Sequence, residues 1–443
     1  MSYSITQQPT FEHNYQKHFL QDRSDDKIIK TNEVQILDKS YKLDELVNDS
    51  NKDKILKIFQ LKKKYLKIRK IYTNVRYIDI SRKKLLNDTF KKIMALDEKS
   101  FITSRLRIVF KDELGDDCSG LTKEWLNLIF NEIFKEKYNL FSPTFDNSSE
   151  FIIKYSENVN NDLILKYKFI GRLLNQAFIN NVSLNFPCEW FIFHFLTRKQ
   201  IFLNDVKKYD SEYYIVLENI YKFIKNENNI QPTLKFQDIY FDGHNYFEVN
   251  LKENGNNIYV TKENVEEFIH LKIQMKYIGN IKKQLYALRE GFEEIIYPDI
   301  YRNYNWKQLQ LDICGIRRIE MKDWIENSVY RLAPLSDKTF IYLFWQIVNN
   351  YTTEQKSKLL YFVTSQYWPP YGGFKNLKGK SSNFVCPFNI LELNEDSSKF
   401  GFDCAINART CTNTLYLPNI NDKKILKKLL DCAIEKFDGF NCV

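Results

Sequence analysis

Several things this 443-residue chain lacks narrow its class before any motif is read. It has no apolar run approaching the roughly 18 to 20 residues needed to span a bilayer, and its first thirty residues are polar and of mixed charge, without the apolar core of a signal peptide. Its eight cysteines contain no C-x-x-C pair. Its five histidines, at 13, 18, 194, 244 and 270, all precede the cysteine-rich tail. Structural zinc chemistry is therefore excluded, as is a disulfide framework of the secreted kind. These absences predict a soluble intracellular protein, cytoplasmic or nuclear, with reduced thiols and no cofactor.

A hydrophobic content of 44% and an aromatic content of 15% are enough for more than one core, and the length suits two or three domains. The net charge of +9 is concentrated: residues 51 to 100 hold sixteen Lys and Arg against five Asp and Glu. Lys62, Lys63, Lys64, Lys67, Arg69 and Lys70 interleave there with Ile55, Phe59, Leu66 and Ile71 at helical spacing. Such a segment could touch nucleic acid or acidic partners. A solvated basic face on a packed helix accounts for the same pattern and is the preferred reading.

Local patterns predict an ordered series of elements. Ser81–Met94 reads as a helix, and the alternation of Leu106, Ile108 and Phe110 with Arg105, Arg107 and Lys111 reads as a half-buried strand. The Gly115–Gly120 loop has the spacing of a phosphate loop, but Leu121 and Thr122 replace its Lys and Ser/Thr, and two aspartates would repel phosphate. Leu163–Ala177 reads as a buried helix. Asn254, Gly255 and Asn256 predict a hairpin between residues 246–251 and 257–261. The proline and turn formers of Arg331–Asp337 predict a linker, with helices at 340–349, 354–364 and 422–437 beyond it.

One cysteine stands apart. Cys411 lies in the polar stretch Asn407–Asn413, beside Arg409, just before a short apolar run ended by Pro418. A thiol on a polar loop next to a fixed positive charge is placed to react rather than to fill a core.

Together these landmarks resemble the HECT family of ubiquitin-protein ligases from about Ile71 onward. The residues that carry the resemblance are Arg82, Leu85, Leu86, Asp88, Thr89 and Phe90; Gly115, Asp117, Gly120, Leu121, Glu124 and Trp125; Tyr167–Arg172; Asn254, Gly255, Ile258, Val260, Thr261 and Asn264; Gln284, Ala287, Gly291, Phe292 and Glu294; and finally Thr410, Cys411, Asn413, Leu415, Leu417 and Pro418. The resemblance implies an α+β bilobal domain, with a mainly helical N-lobe carrying small β elements and a smaller α/β C-lobe. The expected boundaries are an N-terminal arm and basic helix at 1–70, the N-lobe at 71–330, a hinge at 331–337 and the C-lobe at 338–443. A subdomain at about 186–245 would dock a ubiquitin-conjugating enzyme through Phe195, Leu196, Phe202 and Tyr240.

The same resemblance implies that Cys411 accepts ubiquitin as a thioester and passes it to a lysine of a protein substrate, with Arg409, Thr410, Asn413 and Phe440 in support. Thioester exchange is near thermoneutral, so geometry outweighs driving force and no histidine base is needed. The sequence departs from the family at Arg409, where histidine is usual, at Thr412, where phenylalanine is usual, and at Ser365–Trp368, which replaces a Gly-Thr-Ser-Arg run. Loss of that arginine bears on how the lobes meet. Substrate choice is expected to lie in residues 1–70 or in a partner subunit. The alternative is a basic RNA-binding or scaffold protein on a degenerate, inactive HECT fold, with residues 51–100 as its functional surface. A papain-like protease or deubiquitinase would need a histidine reaching the nucleophile, and no local motif of those families surrounds Cys411.

Overall fold

The computed structural model describes residues 74–111, 113, 120–144, 150–226, 233–241, 246–294, 305–379, 385–393 and 406–435. The arm and basic helix expected at 1–70 lie outside the described residues, as does Phe440. The described residues fall into two compact units, one made from Ile201–Asn280 and the other from Leu61–Gln200 with Ile281–Val443.

In the larger unit, the alternating run becomes strand β2, and the residues before it supply its partner. β1 (Asn74–Ile80) pairs parallel with β2 (Ser104–Phe110) across helices α1 (Leu85–Met94) and α2 (Glu98–Thr103). Leu106, Ile108 and Phe110 are buried as the period of two requires. Helix α3 (Gly120–Ile133) follows, then the short antiparallel pair β3 (Phe141–Pro143) and β4 (Phe151–Ile153), the long helix α4 (Asn161–Asn180) and α5 (Trp190–Leu196). Asn160 caps α4 through its side chain. Asn181 ends it in the left-handed conformation that asparagine tolerates better than most residues.

The residues of the resemblance are those that lock this core. Trp125 donates its indole N–H to the Thr89 hydroxyl, Arg82 pairs with the buried Glu124, and Phe90 meets Phe169 edge to face. α4 crosses the later helix α9 (Lys282–Glu293) at two glycines. A Cβ on Gly171 would lie 2.0 Å from the Leu288 carbonyl oxygen, and one on Gly291 would lie 1.9 Å from that of Lys168. Only glycine allows backbones this close. Arg172 seals the crossing with two hydrogen bonds to Glu294 and two to the carbonyls of Ile93 and Leu96.

The smaller unit holds α6 (Leu203–Tyr209), α7 (Ser211–Asn226), the antiparallel pair β5 (Gln237–Phe241) and β6 (Tyr246–Asn250), and α8 (Val265–Tyr277). Here the structure corrects two expectations. β6 pairs with β5 upstream, not with residues 257–261. Asn254–Asn257 forms a tight turn that closes on Phe236: Gly255 sits where a Cβ would meet the Phe236 carbonyl oxygen at 2.3 Å, and residues 258 and 260 bond instead to 236 and 234. The compact unit also begins at 201 rather than 186. Phe186 and Phe193 belong to the larger unit, where Phe186 packs edge to face on Phe130, Phe141 and Phe193.

The chain returns to the larger unit through α9 (Lys282–Glu293) and α10 (Trp306–Cys314), and the C-terminal core begins soon after. It comprises α11 (Met321–Glu326), β7 (Ser328–Arg331), α12 (Thr339–Asn349), α13 (Thr353–Thr364), β8 (Phe388–Leu393), β9 (Asn407–Arg409), β10 (Thr414–Pro418) and α14 (Lys423–Glu435). The sheet order is β7-β8-β10-β9, parallel except for the β9–β10 pair. Phe340, Phe344, Leu360, Val363, Leu426 and Leu430 from the helices meet Phe388, Ile390, Leu415 and Leu417 from the sheet. Trp324 is stacked on Phe374 at 4.9 Å in the same core.

The segment expected as a hinge, 331–337, is bonded to this core. Arg331 is in β7, the Ala333 N–H donates to Glu392, and Asn419 and Asn421 hold Ser336 and Asp337. Trp324 and β7 already belong to this core. Between α10 and α11 the chain runs irregularly from Gly315, at φ +72°, and the Ile316 N–H donates to the Pro369 carbonyl at 2.8 Å.

Candidate active site

Cys411 sits at the middle of a single helical turn, Thr410–Thr412, that joins the antiparallel strands β9 and β10. The turn must reverse the chain within three residues, and Asn413 ends it in the left-handed region at φ 48°. The Asn413 side chain is fully buried and donates to the carbonyls of Cys386 at 2.8 Å and Lys378 at 3.1 Å. Asn389, on the neighbouring β8, donates twice to the turn: its backbone N–H to the Asn413 carbonyl and its side chain to the Thr412 carbonyl, at 2.8 and 2.9 Å. These anchors come from residues more than twenty positions away. Fixing the two residues after the cysteine this way spends conformational entropy in folding rather than at the moment of reaction.

Cys411 itself is half-buried, Thr410 is buried and Arg409 is exposed. Thr412, where a large aromatic was expected, is small enough to turn its hydroxyl onto that of Thr414 at 2.9 Å.

What the sequence reading missed is the wall that faces the cysteine. The first turn of α3 lies against the loop: a Cβ on Gly120 would be 2.8 Å from the Thr410 hydroxyl, 3.7 Å from the Cys411 nitrogen and 4.0 Å from the Cys411 Cβ. One stripe of α3, at steps of three and four residues, continues the contact. Lys123 donates to the Lys378 carbonyl at 2.7 Å, Asn127 to the Ser365 carbonyl at 2.8 Å and Asn131 to the Tyr367 hydroxyl at 2.9 Å. Ser365 and Tyr367 belong to the run that departs from the family pattern, and Tyr367 is stacked on Tyr361 at 4.2 Å. Neutral hydrogen bonds meet α3 where a charged arginine was expected.

Lys123 is buried, and that burial lowers its pKa from 10.5 to about 8, against the opposing pull of the Cys386 and Cys411 thiols. Only the Gly120 position had carried a sequence signal, as part of the family pattern; a lysine on a helix gives none.

The expected docking residues separate. Phe195 is 6% exposed and Leu196 fully buried, so neither offers a surface: Phe195 packs on Tyr286 and beneath the Arg289 guanidinium. Phe202 is 55% exposed, and Tyr240 stands opposite Phe247 in the β5–β6 register. Exposed neighbours in the same unit that the sequence reading did not single out are Ile239, 68% exposed, and Tyr246, 75% exposed.

A bilobal α+β fold with a cysteine on a pinned turn between its last two strands defines a ubiquitin-transferase class, and comparison of sequences agrees. The HECT-domain (ubiquitin-transferase) family matches residues 127–443, and the chain belongs to that family. Among curated proteins it is similar to the E3 ubiquitin-protein ligase NEDD4 of Rattus norvegicus, 32% identical over 372 residues that cover 82% of this chain and 40% of that protein. It is also similar to NEDD4 of Homo sapiens, 31% identical over 371 residues covering 82% and 27%, and to Nedd-4 of Drosophila melanogaster, 32% identical over 369 residues covering 82% and 35%. The chain thus spans less than half the length of these relatives. Among the described residues no helix is long and apolar enough to cross a membrane.

Proposed function

We propose that this protein takes ubiquitin from a conjugating enzyme as a thioester on Cys411 and transfers it to lysines of protein substrates, in the cytoplasm or nucleus. The observation that carries this reading is the placement of one half-buried thiol on a turn whose following residues, Thr412 and Asn413, are anchored to Asn389 and to the Cys386 and Lys378 carbonyls. A pinned nucleophile lets an exchange with little driving force proceed through orientation, which can contribute roughly 7 to 11 kcal/mol. No general base is required beside it.

In this reading Phe202, Ile239, Tyr246 and Phe247 form the apolar surface on which the conjugating enzyme docks, because they are exposed in one compact unit. The irregular segment between Gly315 and Glu320, which lies between α10 and α11, is the hinge about which the C-terminal core swings. Phe440 acts in the second step, transfer to lysine, so replacing it spares the Cys411 thioester and weakens lysine modification.

The test is discharge of a ubiquitin-charged conjugating enzyme. Wild-type protein should acquire an adduct that thiol reagents remove, and Cys411→Ala none. An adduct on the alanine variant, or lysine modification at an undiminished rate, would overturn the assignment.

A further inference from the structure

Thioester chemistry gives no role to Cys386, yet the fold brings it to the nucleophile. Asn389 and Thr414 are partners in the parallel β8–β10 register, and Cys386 and Cys411 each stand three residues before them. Extending that register backward sets the two cysteines opposite one another. The chain leaves strand geometry at Thr410–Thr412 but does not leave the neighbourhood. The Cys386 thiol donates to the Thr412 carbonyl at 3.2 Å, and a Cβ on Gly379 would lie 2.8 Å from the Cys386 sulfur and 2.9 Å from the Cys411 carbonyl oxygen.

The chemical setting is shared as well. Lys123 interacts electrostatically with both thiols, and both are half-buried and so reachable by a small oxidant. Burial raises the half-buried Cys386 thiol, against the opposing pull of Lys123, whereas Cys188 and Cys314 are fully buried and burial pushes the Cys314 thiol up to about 12. Those two are core residues and inert.

We propose that Cys386 is a resolving cysteine that converts oxidised Cys411 into a reversible Cys386–Cys411 disulfide. A hydroperoxide delivers one oxygen to the Cys411 sulfur, giving a sulfenic acid and leaving as its alcohol, or as water when the oxidant is hydrogen peroxide. The Cys386 sulfur then attacks the sulfenic sulfur, the S–O bond breaks, and the oxygen departs with the thiol proton as water. Two electrons have passed from the two thiols to the peroxide, and two equivalents of an external thiol return them. The disulfide blocks ubiquitin loading and keeps Cys411 from advancing to the sulfinic acid, which thiols do not reverse. The regulatory consequence rests on the reading of Cys411 as the ubiquitin acceptor; formation of the bond does not.

The test treats the full chain with excess hydrogen peroxide, alkylates the remaining thiols and maps peptides by mass spectrometry. The expected result is a peptide pair joining Cys386 to Cys411, with ubiquitin loading at least tenfold reduced and restored by dithiothreitol. Cys386→Ser and Cys386→Ala, each normalised to its own untreated activity, should accumulate Cys411 sulfinic acid and recover little. Absence of the linked pair in wild-type protein, or recovery of both variants as complete as that of wild type, overturns the proposal. Loading of untreated Cys411→Ala would instead overturn the ubiquitin reading and leave the linked pair standing.

Discussion

Two close approaches in the larger unit are both made possible by glycine, and they are fastened differently. Where α4 crosses α9, Gly171 and Gly291 admit backbone against backbone, and a buried Arg172–Glu294 pair with its two carbonyl acceptors closes the contact. Where α3 meets the cysteine turn, Gly120 admits a side-chain hydroxyl, and the rest of the stripe makes separate hydrogen bonds through Lys123, Asn127 and Asn131. The first contact cannot part without stranding charge in a low dielectric. The second can, since the Asn127 and Asn131 bonds are each worth only about 0.5 to 1.5 kcal/mol net, that of the Lys123 ammonium about 1.5 to 3, and water can replace them. The two interfaces of one unit thus differ in chemistry, one closed by a buried ion pair and the other by separate hydrogen bonds.

The contrast can be broken most sharply at the glycines. Gly171→Ala drives a methyl into the Leu288 carbonyl and should cost about 3 kcal/mol or more, beyond the usual overpacking penalty because backbone must move. Gly120→Ala meets only the Thr410 hydroxyl, which can rotate, and should cost well under half as much. Thermal unfolding of the two variants measures the difference, and equal losses would remove the distinction drawn between the contacts.

Next in size is Asn413→Ala. It strips two buried carbonyls of their donor and places alanine at positive φ, for a loss of about 2 kcal/mol. Discharge of the charged conjugating enzyme should fall more steeply than stability, because the turn that presents the thiol is loosened.

Lys123 sharpens the comparison through pH. Its folded pKa of about 8 lies below the unfolded 10.5, so between those values the unfolded chain binds more protons and stability rises with pH. Relative to wild type, Lys123→Met should be favoured by on the order of 1 to 3 kcal/mol below pH 8, with the advantage shrinking toward pH 10.5. Melting temperatures of both proteins across that window decide the point; parallel curves would mean the ammonium is not desolvated.

The smallest effect belongs to Asn131→Ala. It removes a partly exposed bond to Tyr367 and should cost no more than about 1 kcal/mol, visible as faster proteolysis near Ser365–Trp368 rather than as a large shift in melting.

Much of this was legible beforehand where a local period or a required residue type leaves no choice. Strand β2 follows from alternation, α4 from its apolar surface and the last helix from its stripe. The misreadings share a cause. Arg331–Asp337 has the composition of a linker, but Glu392, Asn419 and Asn421, all at least 55 residues onward, tie it down. The turn at Asn254 announces a hairpin, but Phe236 takes the place of the expected partner. Phe195 and Leu196 look like a sticky surface in sequence and are core in three dimensions.

By itself the sequence determined which residue types meet chemical requirements: glycine at positions where backbones touch, asparagine at a reversed turn, a thiol outside any apolar run. Those are constraints of single residues and near neighbours, set by sterics and solvation. Which atoms surround the thiol was decided only by the tertiary structure. Gly120 from α3, Asn389 from β8 and the carbonyls of Lys378 and Cys386 meet the turn that carries Cys411, and no local period encodes a meeting that depends on how those elements pack.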